Sequence, residues 1–114
     1  MIDTDFEEKW KLLLDRLTEL YGEKPDVQNI IFMIGVQELG GKYRKFNKAQ
    51  KLDVMHVAVC TLLIPYGYYV FDSYDEDGWP HFKATEKLPF LKPLQQNHLM
   101  RQAIVSYFEK GEFI

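Results

Sequence analysis

From Phe6 to Tyr21 the apolar residues recur at steps of three and four: Phe6, Trp10, Leu13, Leu14, Leu17, Leu20 and Tyr21. That spacing draws one stripe along a helix, and Glu8, Lys9, Lys11, Asp15, Arg16 and Glu19 fill the opposite side. Thr4 and Glu7 have the spacing of a capping box, in which hydroxyl and carboxylate satisfy free N–H groups of the first turn. Gly22 fits the left-handed position just past the end, and Pro25 follows.

Pro25-Asp26 opens a second predicted helix, with Pro in the first turn, where its missing N–H costs little. Val27, Ile30, Ile31, Phe32, Met33, Ile34 and Val36 leave almost no polar face, which predicts a central position. The β-branched run also suits a buried strand, but its length and flanking caps favour helix. Gly35 inside it suits close approach by a neighbour, and Gly40-Gly41 ends it. Asn47 caps a third helix, with Gln50 as its partner three residues on. Leu52, Val54, Met55, Val57, Ala58, Val59, Leu62, Leu63 and Ile64 predict that it is largely buried. Pro65 stops it, and the proline ring disfavours helical backbone at Ile64.

The period then changes. Residues 68–74 (Tyr-Tyr-Val-Phe-Asp-Ser-Tyr) and 79–85 (Trp-Pro-His-Phe-Lys-Ala-Thr) are rich in aromatic and β-branched side chains and flank Asp75-Glu76-Asp77-Gly78. This predicts a β-hairpin with Gly78 in the left-handed position and the donorless nitrogen of Pro80 facing outward. A lone hairpin is marginal in water and must lie on the helices. It has two ways to do so: through Val70, Tyr74 and Phe82, or through Phe71 and Trp79. After a connector with two prolines, Pro93 starts a fourth helix. Its apolar side is Leu94, Met100, Ala103, Ile104, Tyr107 and Phe108, and Gly111 ends it. The predicted fold is mainly α, a four-helix bundle-like domain with one β-hairpin inserted between helices 3 and 4 (α+β in a strict classification). Helices 2 and 3 form its centre and helices 1 and 4 flank them. Residues 1–114 are read as a single domain.

Composition narrows the function classes. With 114 residues, 46% of them hydrophobic, the chain can bury a core without metal or disulfide. A net charge of −3 gives no global pull toward nucleic acid or anionic membrane. Cys60 is the single cysteine, which argues against a disulfide scaffold. The acidic opening Met1–Glu8 lacks the apolar core of a signal peptide, and the longest apolar stretches are too short to span a bilayer. A cytoplasmic protein is expected.

Three groups of residues carry candidate chemistry. Asp53, His56 and Cys60, at steps of three and four, line one face of helix 3. Asp-x-x-His resembles the Glu-x-x-His pairs of helical di-iron sites, with Glu38 and His98 as further candidate ligands. Such a dinuclear site needs two motifs, and the chain has one. The structural alternative is a buried His56 hydrogen-bonded to Asp53 or Glu38, with Cys60 as a small hydrophobe. A Cys–His–Asp nucleophile set is a third option, but no oxyanion donors are identifiable.

The second group is the basic run Lys42, Arg44, Lys45, Lys48 and Lys51, interleaved with Tyr43 and Phe46. Cations near a helix N-terminus are mildly unfavourable, and a docked anion relieves this. The aromatics are placed to stack on bases. The alternative is a solvated inter-helix loop. Ser73 to Gly78 shares the start of a calcium loop, but position twelve is Ala84 and the hairpin turn explains the same residues.

The third group is the hairpin itself, whose two faces both carry aromatics. One face packs on the helices, and the other leaves Tyr69, Phe71, Trp79 and His81 as a candidate interface. The alternative is that Phe113-Ile114 folds over it.

No motif matches a named enzyme class. The sequence favours a non-enzymatic interaction or regulatory module that self-associates as a homodimer, without cofactor. One alternative is a metal protein or enzyme using Asp53, His56 and Glu38. Another is an anion or nucleic-acid binder through Lys42 to Lys51, which the acidic balance disfavours.

Overall fold

A computed structural model describes residues 4–40 and 45–110. In chain order it contains α1 (Thr4–Tyr21), α2 (Val27–Glu38), α3 (Lys48–Leu63), a 3-10 turn (Ile64–Tyr66), β1 (Tyr69–Tyr74), β2 (Pro80–Ala84) and α4 (Pro93–Glu109). The architecture is mainly α with one antiparallel hairpin between the third and fourth helices. Among the described residues no helix is long and apolar enough to cross a membrane.

The helix ends follow local chemistry. Asn47 Oδ1 accepts from the Gln50 N–H at 2.8 Å and Gln50 Oε1 accepts from the Asn47 N–H at 2.9 Å, closing the box that spacing predicts. Asp26 and Asn29 make the same reciprocal pair ahead of α2. Asp26 is therefore the cap, and Pro25 precedes the helix as a buried residue instead of entering its first turn. Thr4 is already helical in α1 instead of preceding it, and Gly41 and Gly111 lie outside the described residues. Gly22, at φ 84°, ends α1 with its N–H on the Thr18 carbonyl at 2.8 Å.

The core is one cluster drawn from all four helices. It includes Phe6, Trp10, Leu13 and Leu17 of α1 and Ile30, Ile31 and Ile34 of α2. Ala58, Leu62 and Leu63 come from α3, and Ala103, Ile104, Val105, Tyr107 and Phe108 from α4. The closest approach is between α2 and α3 at Gly35. A methyl group there would lie 2.6 Å from Val54 Cγ1 and closer still to the Val54 carbonyl oxygen. Only a residue without Cβ lets the two backbones meet at this distance.

Several expectations are corrected. α4 is not a flank: it meets α1, α2 and α3. Three consecutive residues, Ala103 to Val105, are buried, so its apolar surface is wider than a single stripe. α1 runs beside α4 in the same direction, with Phe6 on His98 and Glu7 paired to Arg101. Since α4 ends at Glu109, which Lys9 reaches, Leu20 and Tyr21 run beyond it and are exposed. Leu52 points away from the Val54 face of α3 and is exposed, as is Leu94 in the first turn of α4, before that helix reaches Phe6. Ile64 keeps helical backbone, φ −58° and ψ −47°, despite Pro65. Its N–H still bonds the Cys60 and Thr61 carbonyls, and its carbonyl accepts the Gly67 N–H at 2.8 Å, so the tight turn holds it there.

Gly35→Ala should lower stability by about 1–3 kcal/mol despite alanine's better helix propensity, because the clash is with backbone that cannot yield. Urea denaturation checks this; an unchanged midpoint would mean that α2 and α3 can separate without loss.

Candidate functional site

The hairpin is organised by one carboxylate. Asp75 Oδ1 accepts from the N–H groups of Asp77 and Trp79, each at 2.9 Å. Its Oδ2 lies 2.9 Å from His81 Nε2. Gly78, at φ 84°, supplies the left-handed step, and its N–H returns to the Asp75 carbonyl. This accounts for the oxygens that resemble a calcium loop, since the Asp75 carboxylate is engaged within the turn. At the open end, Thr85 fastens the ribbon to the body. Its hydroxyl donates to the Gly67 carbonyl at 2.6 Å and its N–H donates to the Tyr68 carbonyl at 3.0 Å.

The ribbon's faces differ from both expected assignments. Phe71 pairs with Phe82, but a bulge between Phe71 and Ser73 shifts the alternation, so Tyr74 returns to the Phe71 side. The Phe71 ring lies 5.0 Å from Tyr74 and 6.2 Å from Phe82. Phe71 therefore joins Tyr74 and Phe82 instead of opposing them. Lys83 reaches Asp72 at 3.5 Å, on the side that also carries Val70.

Of the expected interface residues, Phe71 and His81 are exposed, whereas Tyr69 and Trp79 are half-buried. Tyr69 packs on the core, where burial and then the nearby Cys60 thiol raise the pKa of its phenol. Trp79 meets Phe46 edge-on at 6.3 Å, and Phe46 meets Phe32 at 5.9 Å. That ladder ties the hairpin to α2 and occupies Phe46, which the sequence placed among base-stacking candidates. Lys45, Lys48 and Lys51 are exposed; Lys42, Tyr43, Arg44, Phe113 and Ile114 lie outside the described residues.

Asp53, His56 and Cys60 do share one side of α3, but they are not a buried polar line. Asp53 and His56 are exposed, so the expected buried histidine is corrected; only Cys60 is fully enclosed. Its sulfur lies 3.5 Å from His56 Nε2. Burial pushes the thiol pKa up to about 11, which favours the protonated thiol at neutral pH. His98 packs edge-on against Phe6 at 5.4 Å, on α4. Glu38, at the exposed end of α2, is not among the residues lining the cleft described next. Among the described residues, no three His, Cys, Asp or Glu side chains are grouped closely enough to hold a metal.

Asp53 and His56 instead face the hairpin tip. Gln50, Asp53, His56 and Val57 form one wall of an open cleft of about 630 Å³, and Asp75, Asp77, Trp79, Pro80, His81 and Phe82 form the other. The sequence assigned its α3 half as a ligand set and His81 as an interface residue. It gave no sign that the two meet, because helix periodicity carries no information about how a hairpin folds back. No protein-family model, curated protein or solved structure matches the chain.

The His81 bond, then the Trp79 and Asp77 N–H groups, hold Asp75 below its ordinary pKa. The turn is thus more stable with the carboxylate charged. That contribution is complete above the unfolded-state value, about 3.9, and is lost as pH falls through the lower folded value. The Asp77 and Trp79 amide resonances should therefore titrate together below about pH 4. In Asp75→Ala both should lose that transition; its persistence would assign the turn to other contacts. In the native protein at pH 8, Cys60 should resist iodoacetamide and react fully in denaturant. Rapid native labelling would contradict its burial.

Proposed function

We propose that the protein is a non-enzymatic interaction module that associates with a second copy of itself through its aromatic ribbon. The observation that carries this reading is the uncovered ring cluster on the hairpin. Phe71 is 48% exposed and Tyr74 68%, although they touch each other, and Val70 on the opposite side is 48% exposed. Contiguous aromatic surface of this kind is enriched where proteins associate, because desolvating a ring contributes more than the few rotors it immobilises cost. The ribbon also presents β1 with five of its six residues exposed, an edge suited to a partner. A cytoplasmic setting belongs to the same proposal, supported by a chain that carries one cysteine and no disulfide.

Sedimentation velocity from low micromolar to several hundred micromolar protein tests it. A concentration-dependent dimer is expected, and Phe71→Asp should weaken it at least about tenfold while leaving helical circular dichroism unchanged. A wild-type chain that stays monomeric throughout, or a dimer indifferent to both Phe71→Asp and Tyr74→Lys, would overturn the proposal.

A further inference from the structure

The hydrogen bonds at the two ends of the hairpin show which backbone groups its strands leave facing outward. At the open end the Thr85 N–H bonds the Tyr68 carbonyl, and at the turn the Asp75 N–H bonds the Trp79 carbonyl. In an antiparallel ladder such bonds flank a residue pair whose own N–H and C=O groups point away from the partner strand. Tyr69 with Ala84 and Tyr74 with Pro80 are such pairs, and by alternation so is Phe71 with Phe82. Among the described residues, no other hydrogen bond reaches the backbone of Tyr69, Phe71 or Tyr74. On the outer edge of β2, Pro80 has no N–H to offer, which leaves the donors of Phe82 and Ala84.

A second copy has two edges on which to extend the ribbon symmetrically, and the residue at the two-fold axis decides between them. On β1, pairing Tyr69 with the partner's Phe71 puts Val70 on the axis. Val70, 48% exposed, then faces the partner's Val70 in the close-spaced position, with Cα atoms about 4.5 Å apart, where β-branched side chains pack well. Phe71 lies against the partner's Tyr69. The two Asp72 carboxylates fall about 13 Å apart along the strands, and each already has Lys83 of its own chain at 3.5 Å. On β2 the equivalent pairing sets Lys83 directly against the partner's Lys83, and like charges so placed are destabilising. An axis at Phe71 fails as well. It would set Tyr69 against the partner's Ser73, which the bulge turns inward toward His81. Pairing β1 with β2 of another copy leaves further edges open and does not close as a dimer.

We propose that two copies join through the outer edges of β1, about a two-fold axis at Val70, so that their ribbons form one antiparallel sheet. Each Tyr69–Phe71 pair exchanges both of its hydrogen bonds across the interface. The bulge at Asp72-Ser73 ends the regular edge and fixes the register. This inference rests on the self-association proposed above and specifies its geometry.

The test is amide hydrogen exchange by NMR at concentrations where sedimentation shows monomer and dimer. The Tyr69 and Phe71 amides should exchange at least about fivefold more slowly in the dimer, and those of Phe82 and Ala84 at unchanged rates. Val70→Glu supplies a cross-strand partner for Lys83 within the hairpin but sets two carboxylates together at the axis. It should raise the dimer Kd at least about tenfold, and mixing it with Val70→Lys chains should restore association. Dimers of wild-type chain whose Tyr69 and Phe71 amides keep the monomer rates would overturn this pairing and leave association through the ring face standing. So would a mixture that associates no better than either variant alone. A wild-type chain that stays monomeric overturns both readings. The wild-type exchange measurement decides the question even if the Val70 variants fail to fold.

Discussion

The contact between Gly35 and Val54 sets the geometry from which the rest follows. It brings the backbones of α2 and α3 together at a distance no side chain at position 35 permits. With those helices in close contact, Ile30, Ile31 and Ile34 of α2 share one core with Ala58, Leu62 and Leu63 of α3. α4 meets both and carries α1 on its remaining side. α3 also supports the hairpin, so the position of the cleft relative to the body is fixed by the same contact.

The fold keeps its polar chemistry at the surface. No polar or charged residue is buried among the described residues, and the α3 groups that could have been core all open onto the cleft or cover Cys60. This follows from the cost of burying polar atoms without full partners, which a small domain has little stability to offset. The Tyr107 hydroxyl is buried, and among charged residues Arg101 is the nearest exception. Its guanidinium lies over the Trp10 ring at 4.9 Å and pairs with Glu7, so aromatic faces take up part of the contact that water would otherwise make.

Features set by neighbours along the chain were legible in the sequence. The Asn47–Gln50 box, Gly22, the left-handed Gly78 and Pro93 at the head of α4 each depend on a few consecutive residues. Apart from the place of Pro25 and the backbone of Ile64, what failed was non-local. Leu20, Tyr21 and Leu94 continue apolar patterns past the point where a neighbouring helix covers them, and the pattern alone does not record where a neighbour ends. The bulge at Asp72-Ser73 leaves no mark that alternation would reveal, yet it decides which rings share a face. The candidate site divides in the same way. The line from Asp53 to Cys60 is helix periodicity and was readable, whereas its opposition to Asp75, Asp77 and His81 comes from tertiary folding.

The proposed function falls on the hairpin, and there is a physical reason for that. A two-stranded ribbon cannot hold itself together in water and takes its stability from what it rests on. Here it rests on the body through Tyr69, through Thr85 at its base and through the Trp79–Phe46 contact, while its turn depends on one exposed carboxylate. Elements at the low end of a protein's local stability are the ones that partners and protons can reorganise at small free-energy cost. The helices, by comparison, bury their apolar faces in one cluster and would have to lose much of that core to respond. A segment that exposes its rings while resting on few contacts therefore combines a surface worth covering with the freedom to be shifted, and the four-helix body supplies the fixed frame on which it sits.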